Sequence, residues 1–231
     1  MSDSMTPRRN NRITIERRAA LTAIASAMVA PIAGAQPRVD ATQRLPTPEQ
    51  SLGPFYPQTP AEMPRETDPD LLGMDGDRVL AKGTPMYLTG RIVNRNGQPI
   101  ANALVEIWQC DANAVYHHPA GGAESARDPH FQGYGTARSG ADGAFHFRTI
   151  KPVAYPGRTP HIHMRVATAI GTIATQWYLP GDPNNARDGL YRRLSEAERN
   201  ALHLVLREGA PAAHPLARST RLSAQVEVVI G

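Results

Sequence analysis

The sequence predicts a mainly β protein: an antiparallel β-sandwich with long loops and one short helix in the C-terminal half. The first observation is composition, because the 231 residues include 21 prolines and 19 glycines, which suit many tight turns. The second is the presence of at least six short segments with strand-like patterning, separated by turns or loops. The length allows one domain with a sizeable core.

The predicted strands all lie downstream of residue 85. They cover residues 86–94, 103–110, 145–150, 161–167, 172–179 and 224–231. Asn96-Gly97 and Asp142-Gly143 have the composition of hairpin-type turns. Residues 111–135 are rich in His, Gly, Ala and Asp and are expected to form a long loop. Together these segments make residues 86–231 the predicted sandwich domain.

One helix is expected after the last internal strand pair. Ser195-Glu196-Ala197-Glu198 has the spacing of a capping box, in which the first and fourth side chains cap the helix start. Leu202, Val205 and Leu206 would form its apolar side, with an end near Glu208-Gly209. Upstream of the sandwich, residues 36–85 are expected to form an extended, proline-rich arm followed by an acidic surface loop.

Residues 1–35 have the features of an export signal. Arg17-Arg18 precede a mildly apolar run, and Ala33-Gly34-Ala35 is a small-residue cleavage site. The pair of arginines favours a twin-arginine signal, although Ala19-Ala20-Leu21 departs from the residues that usually follow it. A general secretory signal or a disordered tail are the alternatives. The expected location is the periplasm, without stable membrane insertion after the signal is removed.

The charge distribution argues against nucleic-acid binding. The formal net charge is +4, but five arginines against two acids give residues 1–35 a charge of +3. Residues 36–231 therefore carry only +1, which is too little for a phosphate-binding surface. Cys110 is the only cysteine, so an intramolecular disulfide and a thiolate metal cluster are excluded. We assign it no catalytic role.

The segment from Tyr155 to His163 carries the strongest chemical signal. His161 and His163 are two residues apart in a predicted strand, so their imidazoles share one face. Tyr155 lies six residues upstream, across a loop that contains proline and glycine. Two neutral nitrogens and a phenol that converge indicate a metal site. A deprotonated tyrosine is a hard, anionic oxygen donor, which favours ferric iron over zinc or copper.

Several runs in the chain together resemble the intradiol ring-cleavage dioxygenases, and most closely the protocatechuate 3,4-dioxygenase type. The runs are residues 53–57, 90–116, 142–143, 145–156 and 160–163. They occur in the family's order and with similar spacing over residues 47–183. The resemblance implies an enzyme that cleaves a catechol ring between its two hydroxyl-bearing carbons with O2, giving a cis,cis-muconate-type product.

The resemblance also implies roles for individual residues. Four of them match the family's ligands of one non-haem Fe(III): Tyr116, Tyr155, His161 and His163. Tyr155 is further implied to leave the metal when catechol binds and to accept one of its protons. Arg158 is implied to stabilise negative charge on the ring, and Gln176 to shape the pocket for substrate and O2. A homo-oligomer is expected, with a second type of subunit as an alternative.

The sequence departs from these relatives in the same segment. Only five residues separate Tyr155 from His161, and Gly157 stands where a tryptophan is common. The substrate pocket is therefore expected to be more open or differently lined, which leaves the ring substituents undetermined. The N-terminal helical linker of the catechol 1,2-dioxygenase group is not expected in this sequence, which argues against that subfamily. Two alternatives stay open: a non-catalytic transthyretin-like β-sandwich module, and a zinc hydrolase that uses the histidines.

Overall fold

The computed structural model describes residues 43–73, 79–209 and 213–231. The predicted export signal lies outside these residues. The eight strands are β1 (Pro85–Asn94), β2 (Leu104–Trp108), β3 (Tyr134–Arg138), β4 (Ala144–Ile150), β5 (His161–Ala167), β6 (Thr172–Tyr178), β7 (Arg207–Glu208) and β8 (Leu222–Ile230). The two α-helices of the described residues are α1 (Gly189–Arg193) and α2 (Glu196–Ala201).

The strands form two four-stranded sheets, in the orders β4-β1-β8-β7 and β3-β2-β5-β6. The paired strands run antiparallel, apart from β1 and β8, which pair in parallel over residues 86–94 and 222–230. This confirms the mainly β, two-sheet architecture. The turn at Asn96-Gly97 also forms, since Gly97 N–H donates to Asn94 O (2.9 Å) and Gly97 adopts a φ of +77°.

The main core consists of apolar side chains from the inner faces of both sheets. Alternating residues supply it because successive side chains of a strand point to opposite faces. Leu88 and Ile92 enter it from the first sheet, and Ile162 and Met164 enter it from the second; none of the four is exposed to solvent. The other face of β5 is therefore left for His161 and His163.

A second, smaller cluster covers that outer face of the β3-β2-β5-β6 sheet. Its buried members are Trp108, Cys110, Tyr116 and Tyr134, and the partly buried Leu52, Phe55, Tyr56, Val153 and Tyr155 pack on them. Residues 43–58 contribute to this cover as an extended arm. The arm is fixed to both sheets by backbone hydrogen bonds, from Thr47 N to Val229 O (3.1 Å) and from Gln50 N to Ala174 O (2.8 Å).

The predicted helix begins as expected but its predicted end is wrong. Both hydrogen bonds of the capping box between Ser195 and Glu198 are present. The helix stops at Ala201, however, and not near Glu208-Gly209, because the following residues pair with β6. Tyr178 N–H donates to Leu202 O (2.9 Å), and Leu204 N–H donates to Tyr178 O (2.7 Å). Val205, expected on the apolar side of the helix, is instead 52% exposed.

The structure also contains elements that the sequence did not predict, among them β3, α1 and a 3₁₀ turn at Pro183–Ala186. Strand β3 follows the long loop and pairs with β2 along its whole length, from Leu104↔Arg138 to Trp108↔Tyr134. Helix α1 precedes α2, and its N-cap is Asp188, whose side chain accepts hydrogen bonds from two backbone N–H groups. Within the described residues, the helices are all too short and too polar to cross a membrane.

Candidate metal centre

The two histidines of β5 lie side by side on the outer face of their sheet. Their Nε2 atoms are 3.1 Å apart. The residues are buried, with 2% of His161 and 1% of His163 exposed. Ile162 between them points into the core, so the alternation of β5 places both imidazoles on the same side, as predicted.

Different contacts orient the two imidazole rings. His161 Nδ1 lies 2.6 Å from Thr159 O, and a carbonyl only accepts hydrogen bonds, so Nδ1 carries the proton and Nε2 keeps a free lone pair. His163 Nδ1 has no hydrogen-bond partner among the described residues. The His163 ring instead stacks on the indole of Trp108, its cross-strand neighbour in β2.

Tyr116 reaches the histidines from the long loop after β2. Its Oη is 3.4 Å from His161 Nε2, and the side chain is buried. Asp111 shapes the start of this loop, because its Oδ1 accepts hydrogen bonds from Asn113 N (2.9 Å) and Val115 N (3.0 Å). Phe55 of the arm stacks on the Tyr116 ring, with centroids 4.2 Å apart. The phenol is thus held between a loop and the arm.

Tyr155 and Arg158 are the ends of a tight turn. Arg158 N–H donates to Tyr155 O (2.9 Å). The two central residues suit such a turn, since Pro156 has a fixed φ and Gly157 adopts a φ of +84° without steric cost. The turn brings the two side chains together, so that Arg158 Nη1 donates to Tyr155 Oη at 3.3 Å. The sequence predicted both residues at the site, and the structure places them next to each other.

Gln176 lies opposite His163 on the neighbouring strand β6. Its Oε1 accepts a hydrogen bond from Arg158 Nη2 (2.6 Å), and its Nε2 donates to Ser51 O of the arm (2.9 Å). Tyr178 Oη also donates to Gln176 Oε1 (3.1 Å). The side chain is fully buried, so its amide acts as a fixed link between the arm and Arg158.

Burial controls the protonation of the candidate ligands. It lowers the pKa of His161 to about 4, with a smaller contribution from the Arg158 cation, and it holds the pKa of His163 well below its usual value. Burial also raises the pKa of Tyr116 and, despite the nearby Arg158, that of Tyr155. The imidazoles are thus neutral at neutral pH and the phenols stay protonated until a cation is bound.

The donor set fits a metal ion. The two Nε2 atoms are 3.1 Å apart, close enough for both to bind one ion at the usual metal–nitrogen distance of about 2.0–2.1 Å. Across the three described stretches, no group of three or more His, Cys, Asp or Glu side chains could hold a metal. Any ion bound at His161 and His163 would therefore need other donors. The candidates are the phenol of Tyr116, whose Oη is 3.4 Å from His161 Nε2, and that of Tyr155, whose ring centroid is 5.6 Å from that of His161.

Sequence reasoning missed several residues around this site. Asp188 accepts a hydrogen bond from Arg158 Nε (2.8 Å), and Trp108 stacks on His163. Gly53 approaches His163 so closely that a Cβ there would lie 3.2 Å from its Cε1. Gly53 and Trp108 lie in runs that carry the resemblance, residues 53–57 and 90–116, but neither run indicated a contact with His163. Asp188 lies outside these runs, and its contact with Arg158 arises from the tertiary fold.

The same architecture occurs in solved dioxygenase structures. The dioxygenase domain of a dioxygenase carbohydrate-binding protein fusion from Streptomyces sp. SirexAA-E superimposes with a TM-score of 0.57 at 28% identity, covering 80% of this chain and 97% of that one. An intradiol ring-cleavage dioxygenase from Tetranychus urticae gives a TM-score of 0.57 at 23% identity, covering 81% and 95%. The second likeness is one of fold alone.

The sequence comparison gives the same class. A family model described as Dioxygenase matches residues 52–213. The protocatechuate 3,4-dioxygenase beta chain of Burkholderia cepacia is 38% identical over 129 residues, covering 52% of this chain and 55% of the relative. The 6-chlorohydroxyquinol 1,2-dioxygenase of Cupriavidus pinatubonensis is 36% identical over 130 residues, covering 48% and 45%. The protein belongs to the intradiol ring-cleaving dioxygenase family. The chain spans about half the length of the curated relatives it matches.

Proposed function

We propose that this protein cleaves a catechol-type ring between its two hydroxyl-bearing carbons with O2, using one non-haem Fe(III), and releases a cis,cis-muconate-type product. One observation carries the proposal. His161 Nε2 lies 3.4 Å from Tyr116 Oη and 3.1 Å from His163 Nε2, and a second phenol, Tyr155, accepts a hydrogen bond from Arg158. Family membership supports the same reaction class.

We assign the metal to Tyr116, Tyr155, His161 and His163. Two phenolates and one hydroxide balance the +3 charge of ferric iron, so the occupied site carries no uncompensated charge in its buried position. When bound, the iron would draw electron density from a chelated catecholate and make its ring reactive towards O2. The hydrogen bond from His161 Nδ1 to Thr159 O keeps the Nε2 lone pair directed at the metal position.

Residues of the protein accept a proton from the substrate and stabilise its negative charge. Tyr155 is half-buried, which allows its Oη to reach an incoming catechol hydroxyl and accept a proton from it. Arg158 Nη1, 3.3 Å from that oxygen, holds the phenol in place after the transfer. The Arg158 cation also stabilises the negative charge of the deprotonated ring, and Gln176 fixes the guanidinium from the opposite side.

The pocket beside Tyr155 supports a more open substrate site than in relatives with a tryptophan. A pocket of about 310 Å³ is bounded by residues 154–158 and by Asn184, Arg187 and Asp188. Nothing lies within 4 Å of the position where Gly157 would carry a Cβ. The relatives' names span protocatechuate, hydroxyquinol and catechol, so the test panel should include all three types.

The two alternatives receive less support. A zinc hydrolase needs a third nitrogen or carboxylate ligand, and no such group of three exists in the described part of the chain. A transthyretin-like module would account for the two sheets but gives no reason for two phenols beside two neutral imidazoles. The dioxygenase proposal accounts for both the sheets and the donors.

The visible spectrum of the iron-loaded protein tests the proposal. Phenolate-to-iron charge transfer absorbs visible light, so we expect a red-brown protein with about one iron per chain. Oxygen uptake with a panel of catechols, and ultraviolet detection of a muconate-type product, then test the reaction. A protein that stays colourless and binds no iron after careful loading contradicts the proposal.

We also propose that the chain is exported to the periplasm through residues 1–35 and that it forms a homo-oligomer. Arg17-Arg18 and the Ala33-Gly34-Ala35 site support export. Cell fractionation of the full-length chain and of an Arg17→Lys, Arg18→Lys variant tests the signal type. Loss of export in the variant supports twin-arginine export, whereas unchanged export supports the general secretory route. Light scattering of the mature protein tests the oligomer, and a monomer would contradict it.

A further inference from the structure

We propose that Asp188 is a positioning residue for the ring-cleaving reaction: its carboxylate sets the plane of the Arg158 guanidinium and thereby the hydrogen bond to Tyr155 Oη. The inference rests on the proposed function, because it is there that Arg158 and Tyr155 act on the substrate. Asp188 lies at the start of α1, thirty residues along the chain from Arg158. Only 1% of the residue is exposed.

The carboxylate of Asp188 accepts four hydrogen bonds. Oδ1 accepts hydrogen bonds from Leu190 N (2.8 Å) and Tyr191 N (3.0 Å), which lie in the first turn of α1. Oδ2 accepts from Arg158 Nε (2.8 Å) and Thr159 N (2.9 Å). Because both oxygens are used, the carboxylate cannot rotate without losing a partner. It is therefore a fixed acceptor for the guanidinium.

The Arg158 guanidinium is held at two separate points. Nε is bonded to Asp188 Oδ2, and Nη2 is bonded to Gln176 Oε1 at 2.6 Å. Since the guanidinium is planar, two anchors fix its orientation and leave Nη1 directed at Tyr155 Oη. Asp188 is the only acidic ion-pair partner that Arg158 has within the described residues. Loss of this carboxylate would release one anchor and the neighbouring counter-charge together.

Capping of α1 does not by itself explain an acid at this position. Asparagine caps a helix as well as aspartate does, through a single side-chain oxygen. The second oxygen of Asp188 faces Arg158 Nε and Thr159 N, both of which are donors, so an amide nitrogen in its place would meet two N–H groups. The arginine contact, and not the cap, is the feature that requires a carboxylate.

Asp182 offers a matched control for a capping aspartate. It precedes the 3₁₀ turn Pro183–Ala186, and its side chain accepts hydrogen bonds from Asn184 N (2.9 Å) and Asn184 Nδ2 (3.0 Å). Asp182 forms no ion pair with Arg158, whose acidic partner is Asp188. Asp182→Asn therefore changes the same chemical group at a neighbouring cap without touching the guanidinium.

The experiment compares Asp188→Asn with Asp182→Asn in the iron-loaded protein. For Asp188→Asn we expect a kcat about 10- to 100-fold lower, the range typical of lost partners around a metal site, with a smaller change in KM. The charge-transfer band should shift, because Tyr155 loses its fixed hydrogen bond. Asp182→Asn should keep both kcat and the band. The metal-free melting temperature should fall more in Asp188→Asn than in Asp182→Asn, because, of the two, only Asp188 is a buried ion-pair partner, and the measurement shows whether each variant is folded.

A double variant tests whether Asp188 acts through Arg158. In an Arg158→Gln background we expect Asp188→Asn to cause no further loss of kcat and no further shift of the band. An equal loss of kcat in both backgrounds would overturn the inference, because the carboxylate would then act by another route, such as Thr159 N. Wild-type kcat and band in Asp188→Asn would overturn it as well. Asp188→Ser, which keeps a helix cap, replaces Asp188→Asn if the latter does not fold.

The failure of this inference can be told apart from the failure of the proposed function. If the wild-type protein shows neither the charge-transfer band nor oxygen uptake, the proposed function fails and this role for Asp188 fails with it. The Arg158 Nε–H resonance of the metal-free protein, assigned with Arg158→Gln, still tests the contact itself. We expect it to be protected from exchange in the wild type and in Asp182→Asn, but not in Asp188→Asn. An active wild-type enzyme with an unchanged Asp188→Asn variant overturns only the inference.

Discussion

The indole of Trp108 lies parallel to the imidazole of His163, with ring centroids 4.9 Å apart and planes inclined by 8°. The two residues face each other across β2 and β5. His163 Nδ1 has no hydrogen-bond partner in the described part of the chain, whereas His161 Nδ1 is held by Thr159 O. Aromatic stacking therefore orients the second imidazole where the first has a hydrogen bond from Nδ1.

Removing this indole should weaken the metal site. In Trp108→Leu, the His163 ring loses the surface that fixes its plane, and we expect iron affinity to fall about 10- to 100-fold, as for other supporting contacts of metal ligands. Titration of the metal-free protein with iron, followed in the visible spectrum, measures the change.

Trp177→Leu is the control for the loss of a buried indole. Trp177 is 1% exposed but lies in the main core, with its Nε1 directed at Met164 Sδ. Both substitutions should lower the free energy of unfolding by up to about 4 kcal/mol, since each removes a large core side chain. An equal fall in iron affinity in both variants would assign the effect to general destabilisation and not to the stacking.

The close approach of Gly53 to His163 predicts a second effect on the metal site. Gly53 adopts a φ of +73°, and a Cβ there would lie 3.2 Å from His163 Cε1 and 3.7 Å from His163 Nε2. Gly53→Ala should therefore strain the backbone and also displace the arm or the imidazole. We expect a shifted charge-transfer band and weaker iron binding, both measured on the loaded protein.

Gly181→Ala is the control that separates backbone strain from the contact with His163. Gly181 has nearly the same φ, +74°, but nothing lies within 4 Å of its Cβ position. Each substitution should lower the free energy of unfolding by about 1 kcal/mol or more, because a non-glycine residue is disfavoured in this region. Only Gly53→Ala should alter the spectrum. A spectral change of the same size in Gly181→Ala would contradict the role of the contact.

Most of the fold could be predicted from the sequence, because most of its strands have strong local patterns. β5 was predicted over the same residues that form it, since its alternating apolar side chains and its flanking Pro160 are local signals. β3, with the sequence YGTAR, lacks such a pattern and is formed by its pairing with β2. Residues 202–204 likewise leave the helix because β6 offers a backbone partner, which no local pattern encodes.

In the candidate site, too, residues that are close in sequence were predictable, whereas contacts between distant residues were not. Tyr155, Arg158 and the two histidines lie within nine residues, so a short motif was enough to predict that they would meet. Tyr116 is 45 residues from His161 and needed the family resemblance. Asp188 was missed because its role depends on a contact across thirty residues between a helix start and a turn. A contact between two side chains that are far apart in the chain is difficult to predict from one sequence.

Tyr155→Phe should impair turnover and change the colour of the loaded protein. The substitution keeps the ring but removes Oη, the atom that Arg158 Nη1 contacts and that we propose as metal ligand and proton acceptor. Loss of a positioned proton acceptor typically lowers kcat by about 10²- to 10⁴-fold. Stopped-flow oxygen consumption and the visible spectrum measure the two effects.

Tyr134→Phe is the control for the loss of a buried hydroxyl in the same cluster. Tyr134 Oη donates to Glu106 Oε1 (2.5 Å) and lies in the cover of the site, but it is not a candidate ligand. This variant should lose about 1 kcal/mol of stability through the broken hydrogen bond and keep the charge-transfer band. A Tyr155→Phe protein with wild-type turnover and colour would contradict the ligand assignment.

His146 predicts a pH dependence of stability away from the metal centre. Its Nδ1 lies 2.6 Å from Tyr87 Oη and 3.1 Å from Thr89 Oγ1, and its ring stacks on His214. Burial, followed by repulsion from His214, lowers the pKa of His146, although Asp142 acts in the opposite direction. The folded state thus disfavours the protonated ring. Its contribution to stability is complete above the unfolded pKa of about 6.5 and declines as the pH falls towards the lower folded value.

His146→Gln isolates this effect from the other histidines. In the metal-free protein, the stability advantage of the wild type over His146→Gln should be larger at pH 7.5 than at pH 5, because only the wild type must protonate His146 against its surroundings. Urea unfolding at both pH values measures the difference. Tyr87→Phe, which removes a hydrogen-bond partner but keeps the titrating ring, should lose about 1 kcal/mol and retain most of the pH dependence. A wild-type advantage that stays constant between the two pH values would mean that His146 titrates alike in the folded and unfolded states.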